Sequence, residues 1–185
     1  MLLTERLSLR QWREEDRAPF AEINADPEVM AHFPKTLSRE ESDAALDRYA
    51  AGIAERGWGL WAVEVVEGPD VGRFAGFVGI QPLGSDLPPA PGTEVGWRLA
   101  RWAWGRGYAT EAGRASVQYA FGELEVPEVV SITTTSNLPS QAVMRRLGMR
   151  HHADRDFDNP RVPEGSPLRR HVLFGIDRTI WAARR

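Results

Sequence analysis

The feature that most constrains this chain is the run EVGWRLARWAWGRGYATEA over residues 94–112. It opens with the alternation of a strand, passes a tight turn on Gly105, Arg106 and Gly107, and enters a helical stretch at once. A helix that starts on glycines leaves its first backbone N–H groups uncovered, because the first turn has no intrahelical acceptors for them. Such an N-terminus attracts phosphate. Two common phosphate loops do not fit. No glycine is followed by Lys-Ser or Lys-Thr, so the GxxxxGK[ST] loop of ATPases is absent. The dinucleotide pattern GxGxxG fails at its third glycine, where Thr110 stands.

The flanking sequence predicts a mixed α/β (α+β) domain in the order β α α β β β α β α β β. ERLSLR reads as a strand with Leu7 and Leu9 on one face, and Asp16 as the cap of a helix running to about Asn24. Ser38 with Glu41 is a capping box for a helix reaching about Arg56. GLWAVEVVE and RFAGFVGIQPL form a hairpin, SDLPPAPGT is a loop, and TEVGWRL is the fourth strand. GYATEAGRASVQYAF is a helix whose small inner face (Ala109, Ala112, Gly113, Ser116, Val117, Ala120) permits close packing on a sheet. EVVSITTT is a strand, and Ser136 or Asn137 caps the helix LPSQAVMRRL, which Gly148 ends. MRHHADRDF and RRHVLFGID are the last two strands. With 185 residues, 42% hydrophobic and 26% charged, residues 1–185 read as a single globular domain.

The charge is unevenly placed. Residues 95–110 hold Arg98, Arg101 and Arg106 and no acid; residues 137–153 hold Arg145, Arg146 and Arg150 and no acid. Those six aside, 17 basic residues face 26 acidic ones. Either a confined anion site or two arginine-coated helices accounts for this. A net charge of -3 speaks against a nucleic-acid or anionic-membrane partner, and no run reaches the ~18 apolar residues of a membrane helix. The start of the chain has no signal-peptide pattern and there is no cysteine, which points to a cytoplasmic location and excludes thiolate chemistry. His32, His151, His152 and His171 are scattered, and adjacent strand residues such as His151 and His152 face opposite ways, so no metal site is expected.

The segment from Trp102 to Gly107 resembles the acetyl-CoA loop of the GNAT acetyltransferases, [Q/R]-x-x-G-x-[G/A], with Trp102 in the place of Gln or Arg. WGRGYATEA, LTERLSLRQW, NADPEVM and TTTSNLPSQAVMRRLGM resemble in turn the ribosomal-protein N-terminal acetyltransferase (RimJ/RimL-type) branch, in order over residues 3–176. The resemblance implies a mostly antiparallel sheet of six to seven strands flanked by helices, with splayed central strands and acetyl-CoA as acetyl donor. Carried over, the backbone of Trp97 and Leu99 pairs with pantetheine. The amides of Trp104, Gly105, Arg106, Gly107, Tyr108 and Ala109 hold the pyrophosphate, and Arg101 or Arg106 meets the adenosine 3′-phosphate. Asn137 and Ser140, which also read as a helix cap and its first turn, match the positions lining the pantetheine end.

The chemistry needs a neutral amine, and Glu94, at the start of the fourth strand, is the candidate base. Many family members place an acidic Tyr where Met144 stands, which leaves Ser140 as the candidate donor to the departing thiolate. Glu111 reads as a complement to the helix dipole. Trp58 and Trp61 are candidates to flank the acceptor, and the loop DNPRVPEGSPLRRH to border it. The expected acceptor is a protein N-terminal amine or a small-molecule amine; a non-catalytic acetyl-CoA-binding module is the alternative from another class. A homodimer is the working expectation for the assembly.

Overall fold

Every long apolar stretch of this sequence finds its partner in one twisted sheet. The computed structural model describes residues 1–183. Its strands are β1 (Leu2–Leu3), β2 (Leu7–Arg10), β3 (Leu60–Val65), β4 (Phe74–Pro82), β5 (Thr93–Leu99), β6 (Glu128–Thr134), β7 (Arg150–His151), β8 (Phe157–Asp158) and β9 (Arg170–Asp177). The helices are α1 (Arg17–Ala25), α2 (Arg39–Arg56), α3 (Tyr108–Gly122), α4 (Leu138–Leu147) and α5 (Arg178–Ala182). The sheet runs β1-β2-β3-β4-β5-β6-β9-β7, with β8 also paired to β9. All neighbours are antiparallel except β5 and β6, which the α3 crossover makes parallel. Six strands have four residues or more; the two-residue strands β1, β7 and β8 raise the total to nine, above the expected six to seven. MRHHADRDF does not form one strand. A 3-10 turn at Ala153–Arg155 breaks it, and β7 and β8 lie end to end along β9.

Helices cover both faces. Phe20, Tyr49, Phe74 and Phe77 surround Trp12 on the face of α1 and α2, with ring centroids 4.9–6.5 Å apart. On the other face α3 packs through the small residues Ala112, Ser116, Val117 and Ala120, all fully buried. The expected capping box of α2 is present: Ser38 Oγ accepts from the Glu41 N–H, and Glu41 accepts from the Ser38 N–H. Asp16 behaves differently from the expectation. Its side chain makes no cap bond to α1; it lies buried against Arg10, whose two Nη groups have no other carboxylate, a need more costly to leave unmet than an uncapped N–H. Among the described residues no helix is long and apolar enough to cross a membrane.

Candidate active site

The site forms where two neighbouring strands part. β4 and β5 pair continuously from Gly76 and Leu99 to Pro82 and Thr93, whereas β5 and β6 register at Glu94 and Val130 alone. Beyond that pair the strands diverge towards the C-terminal end of β5. The Ala100 N–H donates to the Ala75 carbonyl on β4, so alternation turns the backbone groups of Trp97 and Leu99 towards the opening. One of these groups is already used: Trp104 Nε1 donates to the Leu99 carbonyl at 2.9 Å.

Side chains of β5 alternate between the two helical layers. Trp97 faces α4, where its Nε1 donates to Ser140 Oγ at 3.3 Å, a contact that spans the opening. Ser140 Oγ accepts there and keeps its own O–H free to donate. Asn137 is indeed the α4 cap: its Oδ1 accepts from the Ser140 N–H and its Nδ2 donates to Thr133 Oγ1. Met144 is 1% exposed and belongs to the core.

The glycine turn follows β5. Gly105 and Gly107 have φ of +72° and +82°, the left-handed region that favours glycine. A Cβ at Gly105 would meet nothing within 4 Å, and one at Gly107 would touch only Arg6 Nη2 at 3.4 Å, so the space over the turn is open. The Trp104 amide, expected in the phosphate site, is instead used by the preceding 3-10 turn, where it donates to the Arg101 carbonyl at 3.0 Å; no hydrogen bond among the described residues uses the amides of Gly105, Arg106, Gly107, Tyr108 or Ala109. Free amides at a helix N-terminus with open space above them fit a pyrophosphate. The Tyr108 side chain is buried beneath it.

The arginines expected at the 3′-phosphate have other partners. Arg101 Nε lies 2.7 Å from Asp26 Oδ2 and its Nη1 also binds Glu28; Arg106 Nη1 lies 2.7 Å from Asp70 Oδ2 and its Nε donates to the Trp102 carbonyl. Their charge is spent fastening the turn to neighbouring loops. Glu111 is likewise no mere dipole complement. It accepts from Thr4 Oγ1, the Arg6 N–H and Arg6 Nε, and these bonds hold its carboxyl below the ordinary range despite partial burial. Thr4, Arg6 and Asp70 are supporting residues that the sequence reading missed. Thr4, Arg6 and Glu111 stand inside the strings LTERLSLRQW and WGRGYATEA, which were legible separately but gave no sign of touching.

Glu94 lies on the opposite face, towards α1 and α2. It is half-buried, and burial pushes its carboxyl above the ordinary carboxylate range, against the pull of a donor hydrogen bond from Gln81 Nε2 (3.0 Å) and of the Arg161 charge. Arg161 comes from the loop DNPRVPEGSPLRRH, which therefore borders Glu94; it is itself bound to Asp86. The Trp pair is not at this site in the way expected. Trp61 is 2% exposed and packs edge-on against Tyr119 of α3, and Trp58 carries the Arg56 guanidinium 5.2 Å above its ring.

Parted strands with open backbone groups, a free-amide turn and a raised carboxyl across the sheet suit acetyl transfer from a CoA thioester to an amine. The protein is an acetyl-CoA-dependent N-acetyltransferase. The family described as Acetyltransferase (GNAT) domain matches residues 6–150, and the chain belongs to it. It is 31% identical to FsC-acetyl coenzyme A-N(2)-transacetylase of Aspergillus fumigatus over 97% of this chain and 77% of that protein. An acetyltransferase from Agrobacterium tumefaciens superposes with a TM-score of 0.75 at 26% identity, over 96% of this chain and 94% of that one. RimJ of Mycobacterium smegmatis, solved with CoA-disulfide, has the same fold, with a TM-score of 0.71 at 19% identity over 94% and 82% of the two chains.

Proposed function

We propose that this chain transfers the acetyl group of acetyl-CoA to a primary α-amine by direct attack in a ternary complex, with a protein N-terminus as the acceptor by likeness to the ribosomal-protein branch. The observation that carries the reading is the division of the site between the two faces of β5: the amide turn, Trp97 and Ser140 on one side, Glu94 on the other. Cofactor and acceptor then approach from opposite sides and meet at the opening.

Bound acetyl-CoA supplies an activated carbonyl and a thiolate leaving group. The amides from Gly105 to Ala109 hold its pyrophosphate, and the open backbone groups of Trp97 with the Leu99 N–H align its pantetheine arm. Glu94, with its raised pKa, takes the proton the amine sheds as the C–N bond forms. The Ser140 O–H hydrogen-bonds to the sulfur and steadies the thiolate as the C–S bond breaks, and the thiolate takes its proton from water. Juxtaposition alone contributes much of the rate. An α-amine titrates near ~8 and a lysine near ~10.4, so at pH 7 roughly a tenth of the first is neutral against well under ~0.1% of the second. A carboxyl base of modest strength therefore suits an α-amine better.

The test is a thermal-shift panel with acetyl-CoA, CoA, ATP and NADH, followed by CoA release with peptides whose α-amine is free or blocked. A ligand at ~100 times its Kd adds about 2.7 kcal/mol, a rise of roughly 5–10 °C for a domain of this size. Shifts with acetyl-CoA and CoA alone, and turnover lost on blocking the α-amine, support the proposal. Binding without any amine turnover supports a non-catalytic acetyl-CoA module in its place, and no shift with either CoA species refutes both.

A further inference from the structure

Arg98 is the arginine of the 95–110 segment that has no carboxylate. Arg101 lies on Asp26 and Glu28, and Arg106 on Asp70, whereas no salt bridge among the described residues includes Arg98. Its guanidinium is held by Nη1, which donates to Asn24 Oδ1 at the end of α1, and is sandwiched near the rings of Phe33 (4.3 Å) and Phe77 (5.5 Å). Its buried Nε has no hydrogen-bond partner. Burial depresses its pKa, the reverse of Arg10, which Asp16 and Glu64 raise. Of five N–H donors, one neutral amide oxygen satisfies one. Arg98 is half-buried: its Nε is shut away from any acceptor, while Nη2, which has no hydrogen-bond partner either, reaches solvent and stands open to an anion.

The place is the acceptor face of the site just described. Glu94, Gly96 and Arg98 share one face of β5 by alternation. Between the two charged residues, a Cβ at Gly96 would meet nothing within 4 Å, so the floor there is open. The opposite side of this floor is set by the loop between α1 and α2: Phe33 covers the guanidinium while remaining 39% exposed, and neighbouring His32 reaches Ser136, before α4, through Nδ1 at 3.4 Å. From Gly96 to Arg98 is one pleat, roughly 7 Å along the strand. An amine over Gly96, within reach of Glu94, thus has Arg98 beside the atoms two to four bonds further along the same molecule.

Resting on the reading of this site as an amine acetylation centre, we propose that Arg98 selects acceptors whose α-amine has a carboxylate two to four bonds away. Two sources carry that chemistry: a free amino acid, and a peptide whose first residue is Asp or Glu. A carboxylate meets a guanidinium through paired, charge-assisted hydrogen bonds, which a neutral amide cannot match. Phe33, an exposed ring over the cation, excludes water from the pair once it forms.

The experiment compares kcat/KM by CoA release for matched acceptors: free amino acids against their amides, and short peptides beginning with Asp or Glu against those beginning with Asn or Gln. The expected preference for the carboxylate member is roughly 10- to 100-fold in the unaltered protein. Preference in the first set identifies a free amino acid, and in the second an acidic N-terminus. Arg98→Gln is expected to erase the preference, and Arg98→Lys to retain part of it, with CoA affinity by calorimetry unchanged in both. Equal use of the neutral members, turnover of neutral amines only, or failure of every carboxylate acceptor to react overturns the inference while CoA binding and neutral-amine turnover leave the acetyltransferase reading intact. A loss of CoA affinity in Arg98→Gln with unchanged acceptor preference assigns Arg98 to the cofactor and overturns it too. Failure of the unaltered protein to bind CoA is the separate result that sinks the reading beneath it.

Discussion

Arg6 and Glu111, 105 residues apart, form a two-point ion pair at the edge of the glycine turn, with Nε donating to Oε2 at 2.7 Å and Nη2 2.6 Å from the same oxygen. The other carboxylate oxygen takes the Arg6 N–H and the Thr4 hydroxyl. Arg6 Nη1 donates to the Arg106 carbonyl at 3.0 Å, and its guanidinium lies 5.0 Å from the Tyr108 ring centre. The N-terminal hairpin is therefore a strap across the first turn of α3, and it grips the backbone that offers its amides to phosphate.

Cutting the strap is expected to loosen the turn. Glu111→Ala removes the partner of the Thr4 hydroxyl and of three Arg6 groups, the backbone N–H, Nε and Nη2; hydrogen bonds to charged groups contribute about 1.5–3 kcal/mol each, discounted here because Arg6 is partly exposed. A loss of about 1–3 kcal/mol in urea unfolding is expected, with a several-fold rise in the Kd for CoA. The Glu111 pKa is depressed in the fold, so its contribution is fully present above the ordinary carboxylate range and is lost as pH falls from there through the lower folded value. Unchanged CoA affinity in a folded variant would show that the turn holds its shape without the strap.

Gly107 is the position where backbone conformation and ligand charge meet. At φ +82° a side chain incurs about 1–2 kcal/mol, and a glutamate there points its charge at the anion the amides await. Gly107→Glu is expected to weaken CoA binding by more than ~100-fold, about 2.7 kcal/mol, while far-UV circular dichroism stays native. Gly107→Ala, strained but neutral, is expected to fall between. Calorimetry with CoA checks both, and retained affinity in Gly107→Glu moves the pyrophosphate elsewhere.

Asp16 is the buried counter-ion of Arg10 and not the side-chain cap of α1; the one backbone N–H it takes, at 2.8 Å, is that of Arg13 before the preceding 3-10 turn. Arg10 Nη1 and Nη2 donate to its two oxygens at 2.7 and 2.8 Å, and Arg10 Nε donates to Glu64 at 2.7 Å. Both side chains are under a tenth exposed. Asp16→Ala leaves the guanidinium to Glu64 alone, with both its Nη groups deprived of their carboxylate, and is expected to cost about 3 kcal/mol in urea unfolding, the lower end for breaking a buried pair. The double replacement Arg10→Met with Asp16→Leu is expected to recover most of this loss; a double variant as unstable as the single one would mean that the pair contributes specific packing beyond charge balance.

How much of this was legible follows from range. Period-two alternation gave TEVGWRL its bounds as β5, and the Ser38 and Glu41 spacing gave α2 its start, because both signals lie within a few residues. The glycines of the phosphate turn were readable for the same reason. Asp16 was misread because a carboxylate before a helix looks like a cap wherever it stands, and the buried Arg10 beneath it is fixed only by strand pairing with β3. The strap and the carboxylate partners of Arg101 and Arg106 join segments tens of residues apart, and the Gln81 donor to Glu94 depends on the register between β4 and β5; no local pattern carries such contacts. β7 and β8 are too short to show alternation, and β9 supplies their pairing.

Glu94 offers a test on pH. Its carboxyl titrates above the ordinary range, and only the ionised form accepts a proton, so the rate of the unaltered protein is expected to rise through that raised pKa and again towards ~8 as an α-amine loses its proton. Glu94→Gln keeps a partner for Gln81 but has no base. Its kcat/KM near pH 7 is expected to fall by about 10²-fold, the lower end for general base catalysis, and the deficit to shrink above pH ~9, where the amine is neutral unaided. Removing this half-buried acid also removes a group whose folded pKa exceeds its unfolded one; such a group favours the fold below its unfolded pKa and loses that advantage as pH rises through the folded value, so the variant is expected to be no less stable at pH 8. A Glu94→Gln profile that keeps both limbs with CoA affinity intact would transfer the base to another residue or to solvent.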